Sequence, residues 1–211
     1  MKLYGSTNQK SFNTLKIRAA LAEAGVPYEF VPVDLDKGEN KTSEFLAINP
    51  HGKIPVLTDG EFTLPESNAI LWYVAETHPG SALVPKNDGS RAAIRARARI
   101  AQWVDFAQTT LYAAYAEWWN TALGDAKERN PTAAEKALGR IHRGLGVMET
   151  VLATRSYIAT PDFSLADLSN ASMVFALKRR LSDEPLAKYE RVRAWYDRVA
   201  ARPSFATSIA A

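Results

Sequence analysis

The sequence predicts an α+β protein in two parts: a β-α-β-α-β-β-α domain over residues 1–80 and an all-helical bundle over residues 90–211. Three observations carry this. Strand and helix signals alternate through the first part of the chain. Asp59-Gly60 stands between two apolar runs, the strongest short-range sign of a hairpin. After Gly89 the strand signals stop, and apolar residues recur at steps of three and four.

Taken in order, Lys2-Leu3-Tyr4 is a short strand, and a helical run over 14–24 is closed by Gly25 and Pro27, the usual stop signals. Residues 28–35 are rich in β-branched and aromatic side chains and read as a second strand. Pro32 cannot donate to a ladder, which places that strand near an edge. Residues 42–48 form a short helix at best. The runs 54–58 and 61–64 flank the Asp59-Gly60 turn, so the third and fourth strands are antiparallel neighbours. Leu64-Pro65 ends the fourth, and 67–77 sets Ile70, Leu71 and Val74 at helical spacing before Pro79-Gly80.

Residues 80–90 gather Gly, Pro, Asn and Ser without periodicity and read as a linker. Over 91–111, Ile100, Trp103, Val104, Ala107 and Leu111 form one stripe of a long helix whose other side carries Arg91, Arg95 and Arg99. Leu138, Ile141, Leu145, Met148 and Leu152 repeat the stepping. Gly144 and Gly146 lower the helix propensity of that run and point to close packing. Ser164-Leu165-Ala166-Asp167 opens another helix as a capping box, with Asp where Glu is usual and Phe163 available to staple against Leu168. A final helix carries Val192, Trp195, Tyr196 and Val199 and ends before Pro203.

Composition narrows the function. A chain of 211 residues can bury about 70% of its unfolded surface, and with 46% hydrophobic and 23% charged residues no large part reads as disordered. The net charge of +3 is too dilute to indicate a nucleic-acid surface by itself. Neither an apolar leader nor a run of 18 apolar residues occurs, so no export and no membrane span are expected and a cytoplasmic protein is. The absence of cysteine excludes disulfides, a Cys nucleophile and Cys-ligated zinc, so any thiol chemistry must use a substrate's thiol. His51, His78 and His142 lack ligand spacing, and no metal is expected. No G-x-S-x-G, P-loop or G-x-G-x-x-G is present, which removes the hydrolase, phosphotransferase and dinucleotide readings. Tyr112, Tyr115 and Trp119, with Trp118 beside them, share one helix face; core packing and an apolar wall for a substrate both account for them.

Four pieces then stand in order: Gly52-Lys53-Ile54-Pro55-Val56-Leu57, Leu64-Pro65-Glu66-Ser67-Asn68-Ala69-Ile70, Phe163-Ser164-Leu165-Ala166-Asp167, and Arg202-Pro203-Ser204-Phe205. In these the sequence resembles the cytosolic glutathione S-transferase superfamily over essentially its whole length. The resemblance implies a thioredoxin-like N-terminal domain that binds glutathione and a helical domain that supplies the electrophile pocket. It implies glutathione as co-substrate, no metal, attack of the glutathione thiolate on a small electrophile, and a homodimer. A glutathione-dependent disulfide reductase or peroxidase, and a non-catalytic binding or scaffold protein, are alternatives on the same fold.

The site residues follow from the same resemblance. An X-Pro bond at the start of a strand is where a cis bond is most tolerable, and it would turn the backbone of Ile54, ahead of Pro55, toward an extended peptide. At Glu66-Ser67, where a strand gives way to a helix, the Ser67 hydroxyl and the helix N-terminus suit a carboxylate and Glu66 an ammonium, the two charges of a γ-glutamyl end. A plain helix cap is the other reading of Ser67. Lys41 and Lys53 align with residues that contact the glycyl carboxylate, and each could equally be a solvated lysine. Ser11-Phe12-Asn13-Thr14-Leu15-Lys16-Ile17-Arg18 resembles the bacterial Ser-x-Asn-x-x-Lys-Val-Arg pattern, which makes Ser11 and Asn13 the thiolate-activating pair. A longer loop ahead of the motif lets the alignment slip to Ser6 or Thr7, Tyr4 at the strand end lies close to where tyrosine-type members carry theirs, and Asn13 could also cap its helix.

Overall fold

The computed structural model describes residues 1–6, 11–181 and 184–210. Contacts divide the chain into two compact units, Met1–Gly89 with Ala200–Ala211, and Ser90–Val199. The first contains β1 (Lys2–Gly5), α1 (Phe12–Glu23), β2 (Glu29–Pro32), α2 (Ser43–Ile48), β3 (Val56–Asp59), β4 (Phe62–Pro65) and α3 (Ser67–Thr77), the order that the sequence predicts. The sheet runs β2-β1-β3-β4. β1 and β2 are parallel, with Leu3 opposite Phe30, which requires a crossover such as α1 between them. β3 is antiparallel to β1 and β4, so Leu57 faces Leu3 on one side and Leu64 on the other. β2 is an edge strand, where Pro32 sacrifices least. Gly60, at φ 59°, supplies the left-handed residue of the β3–β4 turn. Tyr73 donates to Asp59 Oδ2 at 2.8 Å and so ties that hairpin to α3.

α1 begins earlier than the periodicity places it because Ser11, not Asn13, is the cap: Ser11 Oγ accepts from the Thr14 N–H at 3.1 Å. Its far end is a Schellman closure. Gly25 sits at φ 65° with its N–H on Ala22 O at 3.1 Å, and the Val26 N–H reaches Leu21 O at 2.9 Å.

Pro203 does not simply end the chain's helices. It opens α10 (Pro203–Ala210), at a position where its missing N–H costs nothing. This helix packs on α1, and Glu23 of α1 accepts from Arg202, whose Nε lies 3.3 Å away, and from the Ser204 hydroxyl. The C-terminal helix therefore groups with the N-terminal unit, unlike the continuous 90–211 division read from sequence.

The second unit opens at the Ser90 cap with α4 (Arg91–Phe106), which runs through a wider π-helical turn (Ala107–Tyr112) into α5 (Ala113–Leu123). It continues with α6 (Pro131–Val151), α7 (Leu165–Leu181), α8 (Glu184–Ala187) and α9 (Glu190–Ala200). Ile100, Trp103, Val104, Ala107 and Leu111 are all buried, as their spacing predicts. Of the two glycines of α6, Gly144 serves the packing: a Cβ there would stand 2.6 Å from Leu111 Cδ2. A Cβ at Gly146 would meet nothing within 4 Å, so close packing does not explain that glycine.

Ahead of α7 the return half of the capping box forms, while the Asp167 N–H goes to Ser164 O at 3.0 Å rather than to the Ser164 hydroxyl. Asp167 Oδ2 accepts from Ser164 N–H at 3.0 Å and Ser164 Oγ at 3.2 Å, while Oδ1 accepts from Ile158 N–H at 2.9 Å and Trp195 Nε1 at 2.8 Å. Phe163 packs edge-on against Tyr157, with centroids 5.7 Å apart. Among the described residues, no helix is long and apolar enough to cross a membrane.

Candidate functional site

The chemistry-bearing residues of the first unit collect at two helix starts and one loop. At the start of α1, Ser11 is half-buried, and its oxygen is fixed by the Thr14 N–H, which leaves the hydroxyl proton to donate elsewhere. Thr14 is itself buried, and its Oγ1 accepts from the Ser6 N–H at 3.3 Å, which anchors the end of β1 to the first turn of α1. Thr7 lies outside the described residues. Tyr4 packs edge-on against Phe45, centroids 6.4 Å apart, in an apolar cluster with Val33, Val56 and Ile54.

At the start of α3, Ser67 is the first helical residue rather than the cap. The cap position belongs to Glu66, held at φ 70° and ψ 109°, a backbone conformation that side chains with a Cβ rarely adopt. Glu66 makes no capping hydrogen bond, so among the described residues no side chain caps α3. Its first N–H groups and the positive end of its dipole are what an anion seeks. Ser67 is buried to 8% exposure beside them, whereas Glu66 is exposed.

The two helix starts touch. Ser67 Oγ donates to Asn13 Oδ1 at 3.2 Å, which joins a residue implied for thiolate activation to one implied for γ-glutamyl binding, 54 positions apart. Lys16, one turn further along α1, donates from Nζ to Asn68 Oδ1 at 2.7 Å. Sequence reading did not single out this second tie. Its signal is a lysine inside the apolar run Leu15-Lys16-Ile17, three residues after Asn13 and so on the same helix face.

The loop ahead of β3 gathers the other implied residues. Ile54-Pro55 is a cis bond, and ladder pairing of β3 starts at Val56. Lys53 is exposed and its carbonyl accepts from Asn49 Nδ2 at 2.7 Å; Asn49, buried to 2% exposure, also accepts from the His51 N–H. Lys41 is exposed and donates to Gly52 O at 3.3 Å, beside Asn40 Nδ2 at 2.7 Å. Gly52 adopts φ 58°, and a Cβ there would stand 2.8 Å from Asn40 O, so glycine alone fits this joint. Two lysines thus flank one turn, a suitable arrangement for a carboxylate.

In the second unit, Tyr112, Tyr115, Trp118 and Trp119 are all half-buried rather than sealed in the core. The Tyr115 ring lies 6.1 Å from Trp118 and 6.3 Å from Trp119, and the Arg180 guanidinium stands 4.6 Å from the Trp119 ring centroid. Burial pushes the Tyr115 phenol up, and Arg180 pulls it back down. Among the described residues, no group of three or more His, Asp and Glu could hold a metal ion.

Comparison with known proteins agrees across both units. The family model described as glutathione S-transferase, N-terminal domain, matches residues 1–76, and that described as glutathione S-transferase, C-terminal domain, matches residues 111–203. Glutathione S-transferase 3 of Zea mays is 33% identical over 220 residues, covering 100% of this chain and 94% of that protein. The crystal structure of glutathione transferase F7 from Populus trichocarpa superposes with a TM-score of 0.85 at 28% identity, covering 98% and 96% of the two chains. Glutathione transferase URE2P6 from Phanerochaete chrysosporium, solved in complex with oxidized glutathione, gives 0.87 at 27% identity, covering 98% and 93%. With the strand and helix order, the paired helix starts and these matches over both units, the chain belongs to the glutathione S-transferase family.

Proposed function

We propose that this protein conjugates the thiolate of glutathione to a small electrophile, with no metal. The observation that carries the reading is the contact between Asn13 and Ser67, which brings the starts of α1 and α3 to one place. The γ-glutamyl carboxylate binds at the first N–H groups of α3 and at Ser67, whose single hydroxyl proton turns from Asn13 Oδ1 to the incoming anion, and the ammonium binds at Glu66. The backbone of Ile54 beside Pro55 takes the peptide, and Lys41 with Lys53 takes the glycyl carboxylate. Ser11 and Asn13, read as the Ser/Asn pair of the bacterial-type motif, face the sulfur. Their donors and the α1 dipole favour the charged thiolate. Each lowering of thiol pKa also lowers intrinsic nucleophilicity, so a moderate shift serves best near neutral pH.

The division of labour is that of residues 1–80 for glutathione and the helical unit Ser90–Val199 for the electrophile, with Tyr112, Tyr115 and Trp119 as an apolar wall. The half-burial of these rings supports that role, since fully buried rings would offer a substrate no surface. A homodimer in the cytoplasm completes the reading.

Calorimetry with glutathione near neutral pH tests it. Ser67→Ala removes a donor to a charged group, so Kd rises about tenfold while the protein stays folded. An unchanged Kd rejects the γ-glutamyl placement.

A further inference from the structure

Lys16 is a cation removed from water. It is 2% exposed, is flanked by Leu15 and Ile17, and donates to Asn68 Oδ1 at 2.7 Å. Asn13 and Lys16 share one face of α1, and Ser67 and Asn68 open α3. The Asn13–Ser67 and Lys16–Asn68 hydrogen bonds are therefore successive ties between the first two turns of α1 and the first turn of α3. The fold does not need a charge for this. A methionine of similar length would fill the same space without the cost of desolvating an ammonium.

We infer that Lys16 is a positioning residue for the glutathione site, whose buried ammonium, acting through Asn68, fixes the Glu66-Ser67-Asn68 turn and sets a positive charge behind the bound γ-glutamyl carboxylate. This rests on the glutathione reading given above. The turn needs such a hold, because Glu66 occupies left-handed backbone space and its side chain makes no capping bond. The elements packed on α1 leave the ammonium little other charge. Glu66 precedes α3, Tyr73 of α3 is turned to Asp59, Glu76 stands in the last turn of α3, at the end away from Asn68, and Pro203–Ala210 of α10 contains no titratable side chain. Burial pushes the lysine's pKa down to about 7, with Glu66 pulling it upward. Its charge is therefore present in mildly acidic solution and lost as pH rises through that value.

The test is glutathione binding by calorimetry from about pH 6 to about pH 8.5, on wild type, Lys16→Met, Asn68→Ala and the double variant, with steady-state kinetics alongside. The wild type binds more weakly as pH rises through about 7. Lys16→Met raises Kd about tenfold at the acidic end and flattens that dependence. Asn68→Ala raises Kd by a similar factor, and the double variant is no worse than either single, because the two residues act as one unit. KM for glutathione rises more than kcat falls, since Lys16 touches no reacting atom. Should Lys16→Met fail to fold by circular dichroism, Asn68→Ala decides alone, for it leaves the lysine in place. Variants that bind as tightly as wild type with the same pH profile overturn the inference and leave the glutathione reading intact. A wild type that does not bind glutathione overturns both.

Discussion

Replacing Ser11 with alanine lowers kcat for conjugation about a hundredfold and leaves the Kd for glutathione within about threefold of wild type. The Ser11 oxygen is held by the Thr14 N–H at 3.1 Å, so its own proton is the part left to meet a sulfur anion at the positive end of α1. In the proposed reading, glutathione is gripped mainly at its ends by Ser67, Glu66, Lys41 and Lys53, which the substitution does not touch. Loss of the cap also costs about 1 kcal/mol of stability, which a melting curve separates from the kinetic effect. Steady-state rates with a chromogenic aryl halide at saturating glutathione check this. A kcat within twofold of wild type would move the role to Ser6, Thr7, Tyr4 or a backbone amide.

Asp167→Ala produces the largest loss of stability, about 3–5 kcal/mol, or a fall in Tm on the order of 10 °C. The carboxylate is fully buried and collects four donors: the N–H groups of Ile158 and Ser164, the Ser164 hydroxyl and Trp195 Nε1. Alanine leaves all four without that acceptor, and Trp195 is itself fully buried, so water cannot replace it. Burial pushes the Asp167 carboxyl above its ordinary range while the four donors pull it down. Asp167→Asn keeps the shape and one acceptor oxygen and falls between alanine and wild type. Chemical denaturation of the three proteins measures the series. A loss below about 1 kcal/mol for alanine contradicts the network's role.

Features set by local chemistry were legible in the sequence. Asp59-Gly60 is a turn because Gly60 needs a positive φ, and the Gly25 stop is a Schellman closure for the same reason. The Ser164-x-x-Asp167 box was readable because its donors and acceptor lie within one turn. What depends on distant partners was not. Pro203 read as a stop, since nothing in the sequence says that Glu23, 179 positions earlier, accepts from Arg202 and draws the following helix onto α1. Gly144 and Gly146 look alike in sequence, yet Leu111 lies against the first alone. At the site, Ser11, Asn13 and Ser67 carried a recognisable motif, but the bond between Asn13 and Ser67 belongs to tertiary packing. So does the burial of Lys16, because a lysine in an apolar run is as compatible with a solvated face as with a buried bond to Asn68.

The most direct measurement is the ionisation of the bound thiol, followed by ultraviolet absorbance of the thiolate as pH is varied in the glutathione complex. Free thiols of this kind ionise near about pH 8.5, and a shift of one unit corresponds to about 1.4 kcal/mol between the two charge states. If Ser11 and Asn13 at the start of α1 stabilise the anion, the bound thiol ionises at least about one unit lower than free glutathione. The double variant Ser11→Ala with Asn13→Ala moves it back toward the free value while glutathione stays bound at its ends. A bound thiol that ionises where free glutathione does, or a double variant with the wild-type pKa and ordinary turnover, contradicts the placement of thiolate activation at these two residues.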